Sequence, residues 1–214
     1  MGKLNLAIVT VTPFQQNCSL LFDGDTLEGV VIDPGGELDR IEKAIAETRI
    51  RPTAIVLTHG HIDHAGGAED LKAKLGVDII GPHRDDLSLL QGLEVQAQMF
   101  GVPPGEVRNV TPDQWLDEGE TLEMAGRSFD IYHCPGHSPG SVVFVQPDER
   151  VAIVGDVLFQ GSIGRTDLPG GNHADLISSI KTKLLPLGDD IKFVCGHGPG
   201  STFGAERRTN PFLV

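Results

Sequence analysis

The sequence predicts an α/β (α+β) protein, a four-layer αββα sandwich of two facing sheets with helices outside, folded as one domain over residues 1–214. Three observations carry this. Short apolar runs pair as hairpins near the start of each half. Strand–helix units close each half. No low-complexity segment or linker separates the halves.

Taken in order, Leu4–Val11, Ser19–Phe22 and Gly29–Ile32 read as strands. Asp23-Gly24 is the turn between the second and third. Asp33-Pro34-Gly35-Gly36 stops the third strand and leads into a helix striped by Leu38, Ile41 and Ile45. Ala54–Leu57 is a buried strand, and a helix from about Ala65 to Leu75 and a strand Val77–Ile80 follow. Asp85–Phe100 reads as helical, with Gly92 as a point of breakage. In the second half Leu122–Met124 pairs with Ser128–Tyr132, and Val142–Val145 with Val151–Val154. Asn172 is an N-cap for a helix His173–Leu185, and Ile191–Cys195 is the last strand.

Composition sets bounds on function. The net charge of −13 opposes binding of nucleic acid, whose phosphates demand a basic face. It does not exclude small anions, because a metal site brings its own local positive charge. Three scattered cysteines, Cys18, Cys134 and Cys195, do not form a disulfide framework and predict a reducing, cytoplasmic setting. Met1–Val9 lacks a signal-peptide pattern, and no apolar run is long enough to span a bilayer. The partner expected is a small molecule, with neither nucleic acid nor membrane.

The chemistry concentrates in Leu57-Thr-His-Gly-His-Ile-Asp-His-Ala-Gly-Gly67. His59, His61, Asp63 and His64 follow an apolar strand, where α/β folds place their sites. His59, His61 and Asp63 step by two, so an extended backbone would point them one way and His64 another. That split suggests two adjacent metal ions. The helical zinc motif, with two His four apart, is absent. Three more ligand types stand where apolar strands give way to glycine loops: His137 in Pro135-Gly-His, Asp156 in Gly155-Asp and His197 in Gly196-His. The glycines permit the sharp turns that bring one side chain to a shared centre.

These motifs together, Thr58-His-x-His-x-Asp-His64, Pro135-Gly-His137, Gly155-Asp156 and Gly196-His197, resemble the metallo-β-lactamase superfamily. Pro13-Phe-Gln-Gln-Asn-Cys18, Gly164-Arg-Thr-Asp167 and Gly196-His-Gly-Pro199 are similar to its glyoxalase II group, especially short one-domain bacterial members. The resemblance implies the αββα fold and two divalent transition-metal ions, zinc first, with iron or manganese as alternatives. It places one ion on His59, His61 and His137 and the other on Asp63, His64 and His197, with Asp156 bridging; Asp63 and Asp156 are the residues assigned to catalysis.

Two metals can share one hydroxide at neutral pH and polarise a carbonyl. A thioester suits them, because a thiol of pKa about 8.5 leaves as thiolate without a dedicated acid. The expected activity is therefore hydroxyacylglutathione hydrolysis, S-lactoylglutathione to lactate and glutathione. Zinc β-lactamases of the superfamily lack an Asp bridging both metals, whereas Asp156 is present. The alternatives are a persulfide dioxygenase holding one iron on His59, His137 and Asp156, a hydrolase of another thioester or lactone, and a metal-free binding module. Full-length glyoxalase II enzymes add a C-terminal helical glutathione-binding domain, which is absent from this sequence. Arg165 matches a basic substrate contact of the family, with a salt bridge inside its loop as the competing role. Arg207 and Arg208 are candidates to replace the missing domain. His83, His133 and His173 read as loop, packing and first-turn residues, and Cys134 and Cys195 as small buried side chains.

Overall fold

The computed structural model describes residues 2–214. Strand β2 (Gln16–Asp23) runs antiparallel to both its neighbours, β1 (Leu4–Val11) and β3 (Glu28–Ile32). Helix α1 (Leu38–Thr48) crosses over to β4 (Arg51–Val56), which lies parallel to β3. Two short helices follow, α2 (Ile62–Ala65) and α3 (Ala68–Leu75), before β5 (Asp78–Ile80) completes a five-stranded sheet in sequence order. After a 3₁₀ turn at Arg84–Asp86 come α4 (Leu87–Leu90) and α5 (Leu93–Met99), with Gly92 as the break between them.

The second half builds β6 (Thr121–Met124), β7 (Arg127–His133), β8 (Val142–Gln146) and β9 (Val151–Ile153) as an antiparallel meander. A small hairpin of β10 (Leu158–Phe159) and β11 (Ser162–Ile163) stands apart from both sheets. Helix α6 (His173–Ser179) is capped by the Asn172 side chain and runs on through a π turn, Ile180–Leu184. Strand β12 (Lys192–Val194) adds parallel to β9, and β13 (Ser201–Thr202) forms the edge of this six-stranded sheet before α7 (Phe203–Thr209).

The layers follow from which side chains meet. Leu21, Val30, Ile32 and Val56 of the first sheet pack against Met124, Phe129, Ile131 and Phe144 of the second, forming the central apolar layer. The other face of the first sheet buries Leu20, Val31 and Ile55 under Ile41 of α1, Leu71 of α3 and Leu93 of α5. The second sheet buries Val143, Val145 and Phe193 under Leu176 of α6 and Phe203 of α7. This is the four-layer αββα order.

Several expected boundaries shift. The helix expected from Ala65 divides at Gly66-Gly67, and its first turn lies earlier, over the ligand residues themselves. The second strand starts at Gln16 rather than Ser19, and the last expected strand loses one residue at each end. The pairs β10–β11 and β13, and helix α7, were not anticipated; two-residue strands carry no readable period.

Candidate metal centre

The C-terminal ends of β3, β4, β7, β9 and β12 all open toward one place, and each delivers a polar side chain to it. After β4 come Thr58 and the ligand stretch. His61 sits on extended backbone as the residue before α2, but Asp63 and His64 lie on the single turn of that helix. The extended stepping expected through Asp63 therefore ends at His61. Asp63 turns away from the first two histidines and faces His197, with its Oδ2 3.2 Å from His197 Nε2.

Two groups of ligand atoms result. His59, His61 and His137 form one, and Asp63, His64 and His197 the other; within each, all three atoms lie within 4.8 Å of one another. Asp156 stands between, with Oδ1 3.4 Å from His64 Nε2 and Oδ2 3.6 Å from His137 Nε2 and 3.4 Å from His197 Nε2. Gly196 makes this approach possible, since a Cβ there would collide with Asp156 Oδ1 and the His64 ring.

The outward nitrogens fix the tautomers. His137 Nδ1 donates to the Arg165 carbonyl at 2.8 Å, and His197 Nδ1 to the Phe14 carbonyl at 3.1 Å. His64 Nδ1 donates to Asp33 Oδ2 at 2.8 Å. The Thr58 hydroxyl donates to the same Asp33 oxygen at 2.6 Å, which leaves its own lone pair for His59 Nδ1 at 3.0 Å. In the neutral forms of these four rings Nδ1 thus carries the proton, and Nε2 presents a lone pair to the centre.

Those inward lone pairs face one another and the carboxylates. His137 Nε2 is 2.9 Å from His61 Nδ1 and 3.2 Å from His59 Nε2. Two nitrogens bound about 2.0–2.1 Å from one ion at tetrahedral angles would stand roughly 3.3 Å apart. His64 Nε2 and Asp156 Oδ1 are buried without any hydrogen-bond partner. A donor set of imidazoles and carboxylates with orphaned atoms aimed inward fits divalent transition-metal ions.

The electrostatics agree. Burial, reinforced by neighbouring His137, pushes His61 down to about 3, so it stays neutral. Burial opposes the Asp156 charge, but His64, His197 and His137 outweigh it and hold that carboxyl well below its usual range.

The chain matches the model of the metallo-beta-lactamase superfamily over residues 11–197. Hydroxyacylglutathione hydrolase GloC of Haemophilus influenzae is 49% identical over 211 residues, covering 98% of this chain and 98% of that protein. The chain belongs to the metallo-beta-lactamase superfamily. It is a glyoxalase II-like member and an enzyme of the superfamily's metallohydrolase kind. Among solved structures, BLEG-1 B3 metallo-beta-lactamase superposes with a TM-score of 0.89 at 36% identity, covering 98% of this chain and 100% of that one. TTHA1623, solved in a di-iron-bound form, superposes with a TM-score of 0.86 at 39% identity, covering 97% and 100%.

Three supporting residues of this superfamily site escaped the sequence reading. Asp33 adopts a left-handed backbone, φ 52°, so that its carboxylate accepts from Thr58 N, Thr58 Oγ1 and His64 Nδ1 at once. Asp86, wholly buried, accepts from Gly60 N, Ser138 Oγ and Gly140 N, tying the His59–His64 loop to the His137 loop. Asn17 donates to the carbonyls of Cys195 and Gly198 at 3.1 and 2.9 Å, clamping the β1–β2 hairpin to the His197 loop. Asp33 and Asn17 lie in motifs already singled out. Asp86 had no local signal.

The remaining candidates resolve as follows. Arg165 lines the cavity beside the centre, but its guanidinium forks onto Asp167 at 2.7 Å in both contacts. Arg207 and Arg208 pair with Asp189 and do not reach the cavity, contrary to the expectation that they replace a glutathione-binding domain. His83 and His133 stack with ring centroids 3.9 Å apart at 18°, the packing role expected for His133. His173 opens α6. Cys134 and Cys195 are buried, and Cys195 Sγ donates to the His197 carbonyl. Among the described residues no helix is long and apolar enough to cross a membrane.

Proposed function

We propose that this enzyme hydrolyses thioesters, with a hydroxyacylglutathione such as S-lactoylglutathione as the first substrate to assay. We assign one ion to His59, His61 and His137, a second to Asp63, His64 and His197, and Asp156 to both. Bound there, two divalent ions of zinc or iron would supply an activated water and polarise the substrate carbonyl. The observation that carries the reading is the pair of ligand groups joined by Asp156, whose Oδ1 has no protein partner.

The chain's own groups then do the following. Asp33, Thr58 and the carbonyls of Phe14 and Arg165 hold four imidazoles with Nε2 turned to the centre, so the rings need not reorient to receive an ion. Asp63 and Asp156 concentrate negative charge at the cavity floor, beside His197 and His64. The thiol leaves as thiolate, so the site needs no acid for the leaving group. GloC, described as a hydroxyacylglutathione hydrolase, supports this substrate class. We place the enzyme in the cytoplasm, its three buried cysteines being unpaired.

The test is an assay of metal-defined protein with three arms: thiol release from S-lactoylglutathione, oxygen uptake with glutathione persulfide, and cleavage of a chromogenic β-lactam. The last arm answers to the likeness with the BLEG-1 protein. Thiol release without oxygen uptake is the expected result. Oxygen uptake that needs iron, with no thioester cleavage, would transfer the chain to the dioxygenases. β-Lactam cleavage alone would transfer it to the β-lactamases. Arg165→Ala is expected to raise KM with little change in kcat, because a contact remote from the reacting carbon contributes uniform binding.

A further inference from the structure

The cavity above the centre has a volume of about 470 Å³ and two walls, both with apolar side chains and only one with a cation. One is the loop after β11, on the His137 side, where Arg165 gives its carbonyl to His137. The other rises on the Asp63 side. There Gln96 of α5 accepts from Ile62 N at 3.0 Å, which fixes α5 against the ligand loop. Met99 and Phe100 follow at the end of that helix. Phe14, from the β1–β2 turn, meets Phe100 edge-on with ring centroids 5.2 Å apart. The same Phe14 anchors His197 through its carbonyl.

This second wall is apolar and faces solvent. Met99 is 76% exposed, Phe100 51% and Phe14 40%. Large apolar side chains clustered at the mouth of a reactive site lose free energy to water unless something covers them. Charge tells which part of a substrate that is. Arg165 is the only Lys or Arg lining the cavity among the described residues, and it is already paired with Asp167. A carrier thiol with carboxylates therefore meets the one lining Lys or Arg on the His137 side, where it must compete with Asp167. The acyl group is left with the wall of Phe14, Met99 and Phe100.

We propose that Phe14, Met99 and Phe100 form an acyl-recognition surface, and that the preferred substrates are thioesters of apolar acyl groups rather than of short hydroxyacyl groups. The inference rests on the thioester reading and narrows it. The reaction is simple hydrolysis: water oxygen forms the new C–O bond, the C–S bond breaks, and a carboxylic acid and a thiol leave with no oxidant or reductant consumed.

The test holds the carrier constant. Glutathione thioesters of lactoyl, butyryl, hexanoyl and phenylacetyl groups are compared on the metal-loaded full chain. Burial of a methylene supports up to about a fourfold gain, so kcat/KM should climb roughly two- to fourfold per methylene from butyryl to hexanoyl. The corresponding ketones, with methylene in place of the thioester sulfur, should follow the same slope in calorimetric Kd. Phe100→Ser and Met99→Ser should each flatten both slopes; these side chains are exposed, so the core is spared. Cleavage of the lactoyl ester with a flat or falling slope overturns this inference and leaves the hydrolase reading standing. No cleavage anywhere in the series overturns the thioester reading, and this inference with it.

Discussion

Two buried charge clusters lie at opposite ends of the strands, and they are built on different terms. At the N-terminal end of β7, Arg127 meets Asp23 of β2, with Nη1 3.1 Å from Asp23 Oδ2. Arg127 also donates to the carbonyls of Ala125 and Gly2 and to Glu149, while Asp23 Oδ1 accepts from Asp25 N and Thr26 N. Those backbone donors and Arg127 hold the Asp23 carboxyl well below its usual range. Nothing in this cluster lacks a partner. At the other end His64 Nε2 and Asp156 Oδ1 are buried at the centre without a hydrogen-bond partner. A buried polar group without a partner costs free energy, so the first cluster is complete as protein, whereas the second fits the ions proposed for it. The comparison separates a device that joins two sheets from one that awaits a ligand.

The comparison breaks most sharply at Asp156. Asp156→Ala should remove both ions, read by elemental analysis, and lower kcat by about 10³-fold or more. The folded metal-free protein should survive, because His64 and His197, deprived of this carboxylate, release their protons and stay buried as neutral rings. Retention of both ions at full occupancy would show that Asp156 does not bridge. Arg127→Ala should do the reverse. It strands the Asp23 carboxylate between the sheets, and Tm should fall by about 10 °C. The protein that remains folded should keep its full metal content. If Arg127→Ala also emptied the metal sites, the two ends would not be independent.

A smaller effect tests the support beneath the ligands. Asp33 holds both Thr58 and His64. Asn in its place keeps the shape and tolerates the left-handed backbone, φ 52°, better than Ala would. It loses the carboxylate that fixes the His64 tautomer. Metal affinity in a chelator competition should weaken about 10- to 100-fold, on the His64 side of the centre. An unchanged affinity would reduce Asp33 to a turn residue, as the sequence alone suggested.

What the sequence disclosed follows from how far each signal must reach. The ligand stretch His59–His64 was legible because its four donors are neighbours in the chain and follow an apolar strand. His137, Asp156 and His197 were legible because each stands in a glycine loop after a strand. The direction of Asp63 was not, since α2 is one turn long and shows no period. Asp86 was invisible for a different reason. Its partners, Gly60 and Ser138, lie 26 and 52 residues away, and only the tertiary fold brings them together. The αββα order was readable from hairpins and strand–helix units. The two-residue strands of the β10–β11 hairpin, which carry Phe159 and Ser162 to the cavity wall, were too short to register.

The smallest expected effect sharpens the claim that ions complete the second cluster. In the metal-free protein burial opposes a charge on His197, but the hydrogen bonds to Asp156 and Asp63 outweigh it and raise the imidazole to about 9. His64 is raised as well, by Asp156, Asp63 and Asp33 against the opposing effect of burial. An unfolded histidine titrates near 6.5. A proton held more tightly in the folded state stabilises it fully below that value, and the contribution is lost as pH rises through the folded pKa. Tm of the metal-free protein should therefore decline by a few degrees as pH climbs from about 6.5 through 9. Metal-loaded protein should show no such decline, because the ion takes the place of the proton and binds more firmly as protons become scarce. His197→Gln should shrink the slope of the metal-free protein and leave the remainder to His64. A metal-free protein with a flat profile over this range would mean that the carboxylates do not hold protons on these rings, and that the cluster is satisfied without a cation after all.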